Sequence, residues 1–206
     1  MKFKPSVLST LQRLGFRLSR NLAPLIVLLC LIATPAFAAT FASKTFAQLV
    51  GEAEQIFVGT VSSLQSRKLS NGVIVTDIRF SNLQVIKGGT SDAEIVLLVL
   101  GGEVDGLRLE TPGVPQLQLS SRYLVFSKGN GKDMFPVVGG PAGIFLIAGE
   151  AQRAISIVLD SSGKELANDV VADVLSNVSS REQLAFQPPV TLELLLTAIK
   201  ARLGQQ

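Results

Sequence analysis

The stretch "VIVTDIRFSNLQVI", Val73 to Ile86, decides the fold. Ile74, Ile78 and Phe80 share one parity, with Asp77, Arg79 and Ser81 between them. Leu83 and Val85 then take the opposite parity, with Asn82 and Gln84 between them. A period of two marks a strand with one face buried. A slip of one residue near Ser81-Asn82 marks a β-bulge, because one extra residue shifts every later side chain to the other face. The expectation is a long bent strand with Ile74, Ile78 and Phe80, and after the slip Leu83 and Val85, all in one core. Bulged strands are how small sheets curl into barrels.

Upstream, "IFVGTVSSL" from Ile56 reads as a partner strand. Asn71-Gly72 is a hairpin signal, so the two strands pair antiparallel with a tip near Ser66 to Gly72. Downstream, strands are predicted over Glu94–Leu100, Leu107–Glu110, Gln116–Leu119, Arg122–Ser127, Gly143–Ala148 and Ala154–Leu159. Many short strands between glycine and proline clusters indicate an all-β sandwich or barrel. "DSSGKE" after Leu159 reads as a turn.

Helices flank this region. "TFAQLVGEAEQ", residues 45–55, places Phe46, Leu49, Val50 and Ala53 on one stripe, and Thr45 with Gln48 forms a capping box. "TLELLLTAIKARLGQQ" is capped by Thr191 and ended by Gly204. Its stripe is Leu192, Leu195, Leu196, Ile199 and Leu203. Twelve residues holding Glu193, Lys200 and Arg202 do not span a bilayer. "NDVVADVLSNVSS" fits helix or strand equally.

The first forty residues have a different character. Lys2, Lys4, Arg13, Arg17 and Arg20 precede an apolar run, Leu22 to Ala33, and Ala36-Phe37-Ala38 follows. No acidic residue precedes Glu52. This is the layout of a signal peptide cleaved after Ala38. As a helix the run covers roughly 18 Å, against a hydrocarbon core of roughly 30 Å. Leu29 before Cys30 does not fit a lipoprotein signal, and no twin-arginine pair is present. Residues 1–38 hold five of the 19 basic residues and none of the 16 acidic ones, so residues 39–206 carry a formal charge of −2. The overall +3 therefore belongs to the leader, and no basic stripe for nucleic acid remains.

Residue types then exclude whole chemistries. The chain has no histidine and no tryptophan, and its one cysteine, Cys30, leaves with the leader. A Ser-His-Asp triad, a Cys-His pair, and histidine- or thiolate-ligated metal centres are all ruled out. Carboxylates, lysines, hydroxyls and Tyr123 remain. "VGGPAG", Val138 to Gly143, lacks the strand–G-x-G-x-x-G–helix setting of a nucleotide loop. The candidate site is "LGGEVDGLRLETPGVPQL", Leu100 to Leu117. Glu103, Asp105 and Glu110 offer oxygens to Ca²⁺, but without the D-x-[DN]-x-[DN]-G order of a calcium loop. Read as structure, Gly101, Gly102 and Gly106 allow a tight backbone, and Pro112 and Pro115 keep an edge from pairing with another chain. The expectation is a connection that protects a barrel edge.

Four motifs in order carry a resemblance: "AEQIFVGTVSSL", the strand ending "VIKGG", "EIVLLVLGG" and "SSRYLVFSKGNG". Over Ala53 to Gly131 the chain resembles the netrin-like module, the OB-type barrel also found in tissue inhibitors of metalloproteinases. It also resembles a set of exported bacterial proteins with this arrangement. The resemblance implies an OB-like barrel. It implies no inhibitory residue, because those inhibitors use disulfides and an N-terminal cysteine that residues 39–206 lack.

Together these readings describe a mainly β protein. A signal peptide spans 1–38. A small OB-like antiparallel barrel with a short N-terminal helix spans 39–160. An extension spans 161–206 and ends in an amphipathic helix, 191–203. The expected role is a non-catalytic binding module of the cell envelope, periplasmic or extracellular, with no cofactor, metal or catalytic residue. Its partner is a protein or another envelope component. Nucleic acid is not a partner, and the membrane is touched only through the leader. The alternative is a carboxylate-based hydrolase, whose two acids would have to converge in one pocket.

Overall fold

The computed structural model describes residues 44–89, 92–111, 114, 116–150 and 155–205. The leader read over residues 1–38, and Pro112 and Pro115, lie outside them. Among the described residues there are eight strands: β1 Gln55–Lys68, β2 Ile74–Lys87, β3 Ile95–Leu100, β4 Gly102–Val104, β5 Leu107–Leu109, β6 Arg122–Ser127, β7 Ile144–Glu150 and β8 Ile155–Leu159. The described residues also form the α-helices α1 Phe46–Glu52, α2 Asn168–Leu175, α3 Ser180–Ala185 and α4 Leu192–Leu203. A short 3₁₀ turn spans Gly140–Gly143.

Six strands form one antiparallel sheet in the order β3-β2-β1-β6-β7-β8, and β4 and β5 form a separate hairpin. β1 and β2 are the predicted pair, turning through Leu69–Val73 with Gly72 at φ 87°. The bulge is where the parity slip puts it. Thr60 faces Ser81 and Val58 faces Gln84, so β2 holds one residue too many opposite Gly59. Asn82 takes the left-handed conformation this requires, at φ 51°. Gly59 leaves room for the Leu83 side chain, which would lie 2.9 Å from a Cβ there.

Two further irregularities were not legible. Ser62 is an extra residue on β1, and Ile86 is a second one on β2. The second corrects the expectation for Val85. Ile86 turns against the core on the helix side, while Val85 is 37% exposed. Leu83 does pack against the core that holds Phe80.

The expected closure into an OB-like barrel is not seen, because edge strands β3 and β8 share no ladder. Each edge is covered by chain outside the sheet. On β3, the Asn130 side chain accepts from the Leu98 N–H and donates to Val96 O, and Met134 O accepts from the Leu100 N–H. On β8, the Val158 N–H donates to Val190 O, and Ile157 bridges to Thr191. Backbone groups that closure would have paired are satisfied by these segments instead.

The sheet is buried on both faces where β1 and β6 meet, which explains the unbroken apolar runs "IFV" and "YLVF". Ile56, Val58, Leu124, Phe126, Phe145 and Val158 face the helices. There they meet Phe46, Leu49 and Val50 of α1, Val174 of α2, and Leu195, Ala198 and Ile199 of α4. The helical segment Asn168–Leu203 thus supplies one wall of the core that the sheet uses. The opposite face curls around Phe57, Phe80, Leu97, Val99, Tyr123 and Val125. The Phe57 and Phe80 rings meet edge to face at 5.2 Å.

Local signals set the helix ends. The predicted capping box at Thr45 and Gln48 is formed, and Lys87 Nζ donates to Val50 O and Gly51 O at the far end of α1. The Asp173 carboxylate accepts the Phe46 N–H, which ties α2 to the start of α1. The ambiguous segment is helix α2, followed by α3, which opens on a Ser179–Glu182 capping box. Thr191 caps α4 as predicted. Gln116–Leu119, expected as a strand, finds no ladder partner. Leu117 fills the curled face while the Gln118 N–H donates to the Tyr123 hydroxyl. Among the described residues no helix is long and apolar enough to cross a membrane.

Candidate functional site

The described residues of the stretch Leu100–Leu117 roof one end of the curled sheet. Its first half is the hairpin β4–β5, with Gly102 opposite Leu109, Glu103 opposite Arg108 and Val104 opposite Leu107. Asp105 and Gly106 form its two-residue turn at φ 51° and 75°. That geometry is what an Asp-Gly pair favours, so "DG" was the signal that would have placed the hairpin. Gly101 and Gly102, at φ 109° and 129°, swing the chain out of β3 and over β1 and β2. A Cβ on Gly102 would overlap the hydroxyls of Ser66 and Thr76.

Those hydroxyls hold the hairpin down. Thr76 Oγ1 donates to Gly101 O at 2.7 Å, and Ser66 Oγ lies 2.9 Å from Thr76 Oγ1. Ser66 Oγ also accepts the Glu103 N–H at 3.4 Å. Thr111 Oγ1 donates to Leu100 O at 3.1 Å and fastens the chain again past β5.

Beneath the hairpin lies a pocket of about 280 Å³. Leu64, Ser66, Thr76, Ile78 and Val99 make its floor, and Val114, Gln116 and Leu117 form a wall. Its size is near the lower end for small-molecule sites, which run from about 300 Å³ upward. The rim is open and mixed, with Leu64 40% and Leu109 37% exposed beside Glu103, Arg108 and Glu110. Beyond Val114 and Gln116 a second groove, of about 480 Å³, runs past Tyr123, Leu146 and Ser161–Gly163.

The three acids of the stretch are not gathered. Asp105 sits at the hairpin tip. Glu103 and Glu110 line the pocket, and Glu110 pairs with Arg108 at 2.8 Å. Among the described residues no three acidic groups stand close enough to share a metal ion. The resolved carboxylate shifts lie elsewhere and have structural causes. The Lys44 ammonium at 2.8 Å holds Glu52 low against a small opposing effect of burial. The Ser179 hydroxyl and N–H hold Glu182 low. Burial raises Asp160, but the Lys164 N–H and the Ser162 hydroxyl and N–H outweigh it and leave the group low.

The pocket was missed in the sequence because most of its floor comes from β1 and β2, far from its roof in the chain. Only the roof is a contiguous motif. Comparisons with protein-family models, with curated proteins and with solved structures each find no match for this chain.

Proposed function

We propose that this chain is an exported, non-catalytic binding module of the cell envelope that receives its ligand in the pocket under the β4–β5 hairpin. One observation carries the reading: an open-rimmed pocket of about 280 Å³ whose roof is fastened by hydroxyl–backbone bonds to its floor. A roof held in place before the ligand arrives lowers the ordering cost of binding. The basic and apolar leader ending in Ala36-Phe37-Ala38 supports export with cleavage after Ala38. Mass spectrometry of the exported protein should then find an N-terminus at Ala39, and a form retaining residues 1–38 would contradict it.

The binding role is tested by filling the pocket. Leu64→Trp puts an indole at the half-exposed mouth. Small-molecule fractions of an envelope extract should raise the melting temperature of the unsubstituted protein and leave that of Leu64→Trp unchanged. A ligand at a hundredfold excess over Kd stabilises by about 2.7 kcal/mol. Hydrolysis of envelope glycans that disappears in a Glu103→Gln/Glu110→Gln double variant would replace this reading with the carboxylate hydrolase.

A further inference from the structure

The outer edge of β5 is a second feature of the hairpin, separate from the pocket. Asp105 to Glu110 are all exposed, and among the described residues no strand but β4 pairs with β5. Val104 and Leu107 flank the two-residue turn, so they exchange both backbone bonds. Backbone direction alternates along a strand, so Arg108 and then Glu110 turn their N–H and C=O groups away from β4. Past Glu110 the chain turns off, with Thr111 O accepting the Val114 N–H. A two-stranded hairpin is marginal by itself, and further strands sharing an apolar face stabilise it.

The two faces of β5 are sorted by polarity. Gly102 lies opposite Leu109, and a Cβ on Gly102 would point at the Ser66 and Thr76 hydroxyls, so this face looks down on the sheet. Leu107 shares that face and is 56% exposed, against 37% for Leu109. Arg108 and Glu110 lie on the other face and pair at 2.8 Å, and Glu103 stands opposite Arg108. A second β5 related by a two-fold axis can meet this edge in few registers, because only residues with the same backbone direction pair. An axis at Arg108 sets arginine against arginine, which is destabilising. An axis at Glu110 sets glutamate against glutamate, and Arg108 against Pro112, which has no N–H. An axis at Leu107 sets Arg108 against Gly106 in the turn. Only an axis at Leu109 sets Arg108 against Glu110 of a second copy, on both sides of the axis. Each arginine then stands between two glutamates, Glu103 of its own hairpin and Glu110 of the other.

We propose that two copies of this chain join their β5 edges antiparallel about Leu109. The strands β4-β5-β5-β4 then form one sheet. Arg108 and Glu110 exchange backbone bonds across the axis and alternate in charge on the outer face. Leu109 meets Leu109 of the second copy on the inner face as a close, non-hydrogen-bonded pair. The strands are short, so the area joined lies below the roughly 1,200 Å² of stable complexes, and the association is weak and concentration-dependent.

The test is sedimentation equilibrium of the exported protein, carried to millimolar concentration, where a monomer–dimer equilibrium should appear. Arg108→Glu and Glu110→Arg should each weaken it by about fivefold or more, because each sets like charges opposite one another. An equal mixture of the two variants should regain most of the affinity, since every charged position across the axis then faces an opposite charge. A fold disturbed by either change would not be mended by mixing. Cysteine cross-linking reads the register, because residues 39–206 hold no cysteine of their own. On oxidation Leu109→Cys should cross-link to itself faster than Leu107→Cys, although Leu107 is the more exposed of the two. The proposal is overturned by a protein that stays monomeric, by a mixture that regains no affinity, or by Leu107→Cys cross-linking as fast as Leu109→Cys. None of these outcomes bears on the Leu64→Trp experiment, which tests the pocket alone.

Discussion

Phe80 shows how one side chain holds two parts of this protein together. Its ring is fully buried, lies edge to face with Phe57, and sits one pair before the bulge, opposite Val61. Phe80→Ala should cost about 3–5 kcal/mol, because the site is tightly walled and collapses poorly. Urea unfolding checks it, with the midpoint expected to fall at an unchanged slope. Asp160 works through charge. Its Oδ1 accepts from the Ser162 N–H, the Ser162 hydroxyl and the Lys164 N–H, which holds its pKa below the ordinary carboxylate value. A carboxyl whose folded pKa is depressed stabilises above its unfolded pKa, near 3.9, and loses that contribution as pH falls through the folded value. Asp160→Asn should therefore flatten the loss of melting temperature between pH 7 and pH 3. The effect is less than about 1 kcal/mol, since the turn is partly exposed and screened. Equal pH profiles for the two proteins would refute the assignment. Both residues stood out in the sequence, Phe80 by parity and Asp160 by its turn, because both signals are local.

Edges and bends matter most among the elements. The bulge at Asn82 was legible, since one extra residue inverts the parity of everything after it. The bulge at Ile86 was not, because too few residues follow it to show a new parity, and Val85 was misplaced for that reason. The cover on β3 was not legible either. Asn130 lies in a glycine-rich turn, and nothing near it in sequence shows that its side chain will answer Leu98 and Val96. Asn130→Ala should cost about 1 kcal/mol and uncover the β3 edge. Sedimentation velocity should then find stronger concentration-dependent association than for the unsubstituted protein. A variant whose association and stability both match those of the unsubstituted protein would show that Met134 O and the rest of the turn suffice.

At the largest scale, the described residues from Lys44 onward form a curled sheet with a helical layer on one face, and the two layers share a core. Leu195 and Ile199 of α4 are fully buried in the same cluster as Ile56, Leu124 and Phe126. Leu195→Ala should cost about 2–5 kcal/mol. The helical circular dichroism signal and the fluorescence of Tyr123, on the opposite face, should still melt in one coincident transition. Separate transitions would mean that the helices fold independently of the sheet. At this scale the division of information is clear. Periodicity, caps and turn residues act over a few positions, so the chain by itself determined the six strands of the main sheet, the first bulge, the start of α1, both ends of α4, and the lack of histidine chemistry. Closure of the sheet, the covering of both edges, and the pocket beneath the β4–β5 hairpin were decided only in three dimensions. Each depends on which distant segment reaches a set of unpaired backbone groups or apolar side chains first, and the linear pattern of hydrophobicity does not encode that competition.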